Sequence, residues 1–222
     1  MKKTLSVLLL ASAAFAIDSS DEKRLREAAE VFREVMATSD KAIPQELIEK
    51  AECAVIIPGM KKGAFIVGAK FGRGFLTCRK NNRVGWKAPA AIRVEGGSFG
   101  FQIGGAETDA ILLVMNRKGA ERLLSSKFTL GGEASVAAGP VGRNSSAQTD
   151  AAMTAEILSW SRQRGVFAGV SLQGATMRED LDVNRSMYGQ TMTNKEVVEK
   201  DPAPPAAAQA LLSELNRHSS RK

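Results

Sequence analysis

The apolar positions change period along the chain. Over residues 19–38 they recur at helical spacing. Leu25, Ala28, Ala29, Phe32, Val35 and Met36 form one stripe, and the opposite face is dense with Glu, Lys and Arg. Ser19 and Glu22 fit a capping box at the start of this helix. Pro44 suits the first turn of a second, short helix carrying Leu47 and Ile48. From residue 54 the pattern shortens into strand-like runs at 54–57, 64–71 and 74–79, separated by Pro58-Gly59, Lys62-Gly63 and Gly72-Arg73-Gly74. Further strands are expected at 90–94, 98–103, 110–115, 134–138 and 166–172. Residues 117–125 read as a short helix with Leu123 and Leu124 inward, and 179–187 as a closing helix. Residues 153–160 suit a strand or a helix equally.

These elements predict an α+β domain. Many short, Gly-punctuated strands form a curved, mostly antiparallel sheet or barrel, with helices at the ends. The domain is expected to occupy residues 17–190. The remainder, 191–222, reads as a linker that is Pro/Ala-rich over 202–208, followed by a short tail in which residues 209–217 suit a short helix.

Residues 1–16 change the picture of where the protein works. Lys2 and Lys3 precede a short apolar run, and Ala14-Phe15-Ala16 is a small-x-small cleavage site. The run is too short to span a bilayer. An exported protein is therefore expected, periplasmic or secreted after cleavage near Ala16. Two cysteines, Cys53 and Cys78, then suggest a disulfide, with buried free thiols or a metal pair as the competing readings. The metal reading is weak, because the single histidine, His218, lies in the tail.

Charge supplies the candidate chemistry. The chain carries 31 Lys and Arg against 24 Asp and Glu, a formal +7. Between Glu52 and Glu95 there is no acidic residue, while nine basic ones occur. Lys61, Lys62, Arg79, Lys80 and Arg83 fall in expected turns, where lysines and arginines projecting from strand ends meet phosphates. Solvated turn charge that protects strand edges gives the same pattern. Gly96-x-Ser98-x-Gly100 matches a hydrolase nucleophile motif, but strand rather than helix is expected after it, and no well-placed histidine follows. The carboxylates select no acid–base pair. Neither a cofactor nor a metal is implied, and no nucleic-acid motif occurs.

Several ordered motifs carry a resemblance to a known family. They include Ala51-Glu52-Cys53-Ala54-Val55-Ile56-Ile57-Pro58, Trp86-Lys87-Ala88-Pro89-Ala90, Thr129-Leu130-Gly131-Gly132, Ala138-Gly139-Pro140-Val141-Gly142-Arg143, Arg164-Gly165-Val166-Phe167-Ala168-Gly169 and Asn184 to Tyr188-Gly189. In this order they resemble the SYLF domain, found in bacterial envelope proteins and in eukaryotic proteins of membrane traffic and actin patches. The resemblance implies a non-enzymatic domain that binds anionic phospholipid. It implies a role for the basic residues at the head groups and for an amphipathic first helix, matched in character by Leu25, Phe32 and Met36. The alternative is an envelope adaptor that binds another protein through the same surface. A remote alternative is a serine hydrolase using Ser98.

Overall fold

The computed structural model describes residues 17–38, 42–64, 67–99, 106–142, 154–163, 166–169, 172 and 174–219. The expected leader, 1–16, lies outside them. The elements in chain order are α1 (Ser19–Ala37), α2 (Gln45–Lys50), β1 (Cys53–Ala64), β2 (Val67–Cys78), β3 (Ala90–Phe99), β4 (Ala106–Val114), α3 (Arg117–Leu123), β5 (Lys127–Thr129), β6 (Val136–Ala138), β7 (Ile157–Gln163), β8 (Val166–Gly169), β9 (Thr176–Glu179), α4 (Leu181–Tyr188), α5 (Asn194–Lys200), a 3-10 turn (Ala206–Ala208) and α6 (Gln209–Ser219). The strands form one open, curled sheet in the order β5-β9-β3-β2-β1-β4-β7-β6, with β8 paired to β7. Among the described pairings only β6–β7 is parallel. The α+β reading holds.

The sheet is covered on both faces, so its central strands read as continuous apolar runs rather than as an alternation. In β1, Ala54 and Ile56 enter a core with Phe75, Ile111 and Trp160 beneath α1, α2, α4 and α6. Their neighbours Val55 and Ile57 enter a second core with Leu112, Met177 and Val197 beneath α3 and α5.

Three expectations about breaks are corrected. Lys62-Gly63 does not separate two strands but lies inside β1, paired with Lys70 and Ala69 of β2. Pro58-Gly59 does not end a strand. It forms a bulge in β1, where the register to β2 shifts between Ile56 and Lys61. Gly72-Arg73-Gly74 is not a turn either and lies inside β2. A Cβ at Gly74 would sit 2.2 Å from the Ile56 carbonyl oxygen and 2.8 Å from Ile57 Cα. The glycine is there because β1 presses against β2 beside its bulge.

The C-terminal segment is also not a free linker and tail. Thr193 and Glu196 form a full capping box that starts α5. The Pro/Ala stretch leads into α6, whose Leu211 and Leu215 are fully buried against α1. The capping box expected at α1 is replaced by Asp18, whose carboxylate accepts from the backbone N–H of Ser20.

Candidate functional site

The basic residues singled out in the sequence part company in the structure. Lys61 and Lys62 lie at the far end of β1, opposite Phe71 and Lys70 of β2. Arg79, Lys80 and Arg83 lie at the other end of the same two strands, beside the Cys53–Cys78 pair. Lys61 is exposed on its strand. Cys53 and Cys78 face each other across β1 and β2 and are joined in a disulfide.

At the disulfide end, a groove of about 710 Å³ is lined by Lys80, Arg83, Lys87, Arg117 and Lys195, with Glu52, Glu121 and Glu199 also on its wall. Three elements bring the cations together. The turn after β2 supplies Lys80 and Arg83, α3 supplies Arg117, and α5 supplies Lys195. The turn is held by two backbone bonds, Lys80 N–H to the Gly85 carbonyl and Arg83 N–H to the Lys80 carbonyl. Arg83 adopts φ +60°, a left-handed conformation that disfavours any residue with a Cβ. Its guanidinium offsets that cost by donating to Glu52 Oε1 at 2.6 Å and to the Lys50 carbonyl.

Within the groove the cations differ in how much charge they leave over. Arg83 is paired with Glu52, Arg117 with Glu121 at 3.7 Å, and Lys195 with Glu199 at 3.8 Å. Lys80 and Lys87 have no ion pair among the described residues. They are the groove's uncompensated charges, and Lys87 was missed in the sequence because it sits in an irregular segment without periodicity.

Arg79 is the opposite case. It is buried, and its guanidinium donates to the carbonyls of Ile48, Glu49 and Ala51 at the end of α2, and to Ser219 O and Oγ at the end of α6. It also stacks 4.1 Å over Trp86. A cation here satisfies the carbonyls that two helix ends leave open. Arg79 borders the groove but is buried as a strut in its wall, its guanidinium spent on the helix ends, and the expectation that it projects to a phosphate is corrected.

The expected membrane face of α1 is turned inward. Leu25 and Phe32 are 0% exposed in the core, and Met36 is half-buried against it. Burying Leu25, Val31, Phe32 and Val35 stabilises the fold by on the order of 8 kcal/mol. That is as large as the whole stability of a typical domain. Offering this face to a bilayer would mean unfolding the helix from the core.

The remaining candidate is Ser98. It lies within β3, paired with Gly68 one residue before the strand's last residue, Phe99, whereas an elbow nucleophile sits in the turn after its strand; residues 100–105, which follow, lie outside the described residues. His218 packs on the Phe32 ring at 6.0 Å.

The family motifs meanwhile prove to be joints of the fold. Asn184 accepts from Ala91 N–H and donates to the Met192 carbonyl and Asn194 Oδ1. Tyr188 donates to the Pro89 carbonyl. A Cβ on Gly139 would collide with the Trp160 indole at 2.0 Å. The family model described as "Ysc84: Las17-binding protein actin regulator" matches residues 95–218, more than half of the chain and inclusive of α6. The chain belongs to the Ysc84 family. Ysc84 and SYLF are the same domain.

Among its Ysc84-family relatives, an SH3 domain-containing protein of Schizosaccharomyces pombe is 36% identical over 182 residues, 80% of this chain and 42% of that protein. SH3 domain-containing YSC84-like protein 1 of Rattus norvegicus is 32% identical over 206 residues, 90% of this chain and 60% of its own length. Protein YSC84 of Saccharomyces cerevisiae is 32% identical over 205 residues, 88% of this chain and 43% of its own. The chain thus spans roughly half the length of these curated relatives.

Proposed function

We propose that this Ysc84-family chain is an exported, non-enzymatic protein that recognises anionic phospholipid, with a head-group phosphate seated in the groove beside the disulfide. The observation that carries the reading is the pair Lys80 and Lys87. They stand uncompensated in a groove whose other cations already have partners. A phosphate brings the charge the groove lacks, at about 1 kcal/mol per basic residue near an anionic surface. Export is supported by the leader pattern of residues 1–16 and by a disulfide, which persists in oxidising compartments. Phosphatidylglycerol and cardiolipin are the candidate lipids of such a compartment.

A second reading follows from the family's description, which names protein partners. On that reading the groove takes an acidic segment of another protein. Co-sedimentation of the chain from Ile17, which carries every described residue, separates the two. The lipid reading expects binding to vesicles with phosphatidylglycerol or cardiolipin, none to pure phosphatidylcholine, and loss in high salt. Equal binding to neutral vesicles, or none to any, would overturn it and favour the protein partner.

A further inference from the structure

A second concentration of charge lies on the sheet itself, away from the groove. Arg73 of β2 stands directly opposite Arg93 of β3, Arg93 opposite Arg178 of β9, and Arg178 opposite Lys127 of β5. Four cations thus form one row across four neighbouring strands, about 14 Å long at the usual strand spacing. Their side chains leave the same face of the sheet, because the residues between them (Ile92, Val94, Phe128 and Met177) enter the core of the other face. Like charges placed directly opposite one another destabilise a sheet. An arrangement that repeats this three times calls for a counter-charge.

The chain's own counter-charge is thin. Glu95 is shared between Arg93 at 3.7 Å and Arg178 at 3.3 Å, and the buried Asp180 lies 3.2 Å from Arg73. Lys127 has no ion pair among the described residues. Three of the four buried side-chain polar atoms without a hydrogen-bond partner among the described residues are here: Arg93 Nε, Arg178 Nε and an Asp180 oxygen. Beside Arg73, two residues along β2 on the same face, Phe71 is 54% exposed. Across from Phe71 stands Lys61, which the sequence had singled out.

We propose that this face is where the protein lies on an anionic bilayer, with Arg73, Arg93, Arg178 and Lys127 over the lipid phosphates and Phe71 at the head-group level. A row of cations spread over four strands fits an extended anionic surface better than a small ligand. The exposed, wholly apolar ring of Phe71 at its edge gains by leaving water for the head-group/acyl boundary. The proposal rests on anionic lipid being the ligand and adds which surface meets it.

The fluorescence of an introduced tryptophan tests it cleanly, since Trp86 and Trp160 are 3% and 0% exposed and report little from outside. Phe71→Trp places an indole on the sheet face. Val84→Trp, at a position 56% exposed in the turn beside the groove, is the comparison. With vesicles of phosphatidylglycerol in phosphatidylcholine, Phe71→Trp emission shifts to the blue and is quenched by lipids labelled in the head-group region. Arg93→Ala with Arg178→Ala weakens vesicle partition about thirtyfold, at roughly fivefold per cation, and leaves the melting curve in place. If the protein pellets with these vesicles while only Val84→Trp shifts, the groove docks alone. The sheet-face proposal then falls and the lipid reading stands. If nothing pellets, the lipid reading falls and takes the proposal with it. Binding to a soluble acidic polypeptide with the same Phe71→Trp shift, and none to vesicles, would assign the face to a protein partner instead.

Discussion

Two charged grooves among the described residues are built on opposite logic. The basic groove at the disulfide end of β1 leaves Lys80 and Lys87 without an ion pair among the described residues. The acidic groove, about 500 Å³ between α1 and the β1 bulge, gathers Glu27, Glu30, Glu34, Glu107 and Asp109 around Arg162. There the central charges are tied up. Arg162 pairs with Glu34 and, at 2.8 Å, with Asp109, and Asp109 also accepts from the Gly59 N–H at 2.9 Å. Asp109 and Arg162 face each other across β4 and β7, so the cluster knits α1 to the sheet. A cluster of charge is a candidate for ligand binding only to the extent that its own neighbours leave it unpaired. By that measure the basic groove is the candidate for a ligand, and the Asp109–Arg162 centre of the acidic groove is a joint.

The largest expected effect lies in the scaffold of the basic groove. Replacing both Cys53 and Cys78 by alanine removes a cross-link between residues 25 apart, worth about 3 kcal/mol on the loop-entropy account. In thermal melts the midpoint falls by roughly 6–12 °C for a chain of this size. In hydrogen exchange, protection is lost at the β2 end and the following turn before it is lost at the acidic groove. An unchanged midpoint would mean that the cross-link does not hold this end together.

Arg79→Ala comes next. It leaves the carbonyls at the ends of α2 and α6 without their donor and costs about 2–3 kcal/mol. Lys80→Ala, one residue on and exposed, changes stability by less than about 0.5 kcal/mol. Urea midpoints of the two variants should differ accordingly. Equal values would erase the distinction between the strut and the free cation.

A smaller loss is expected for Arg162→Leu, about 1–2 kcal/mol, since it strands the largely buried Asp109 carboxylate. Adding Asp109→Asn should restore part of the loss, because the amide oxygen still accepts from Gly59. If the two substitutions instead add independently, the pair is not the joint described here.

The smallest effect is one of pH, at the far end of α1. Burial against Phe32 is the main cause that lowers the pKa of His218 below its ordinary 6.5, with Arg217 adding to it and Glu214 opposing it. The unfolded chain therefore binds the proton more readily than the folded one. This contribution is complete above pH 6.5 and is lost as pH falls through the folded value. Stability of the wild type should decline on acidification through that window. His218→Gln should decline less, as followed by melting midpoints against pH.

Much of the fold was legible in the sequence, and the reasons for the rest are physical. The stripe from Leu25 to Met36 gave α1, and the apolar run at residues 54–57 marked the centre of β1. Strand lengths were not legible, because a bulge at Pro58-Gly59 and a tight crossing at Gly74 look like turns when each strand is read alone. The C-terminal helix was legible over residues 209–217, but its docking was not, because its partners, α1 and Arg79, lie far away in sequence. The same distance hid the roles of the basic residues. Ser219 is 140 residues from Arg79, and only the fold shows that Arg79 is spent on it while Lys80 is not. The row of Arg73, Arg93, Arg178 and Lys127 was invisible for a related reason. Its members are isolated along the chain and meet only through strand register.

The central claim is that the free charge of the basic groove seats a lipid phosphate, whichever further surface then meets the bilayer. Partition onto phosphatidylglycerol vesicles should be measured for Lys80→Glu with Lys87→Glu, beside Glu27→Gln with Glu30→Gln in the acidic groove. The account predicts that the first pair loses binding by at least about thirtyfold, with an unshifted melting curve, and that the second pair binds within about twofold of the wild type. If both pairs change binding in proportion to net charge alone, the groove is no site and the claim is contradicted.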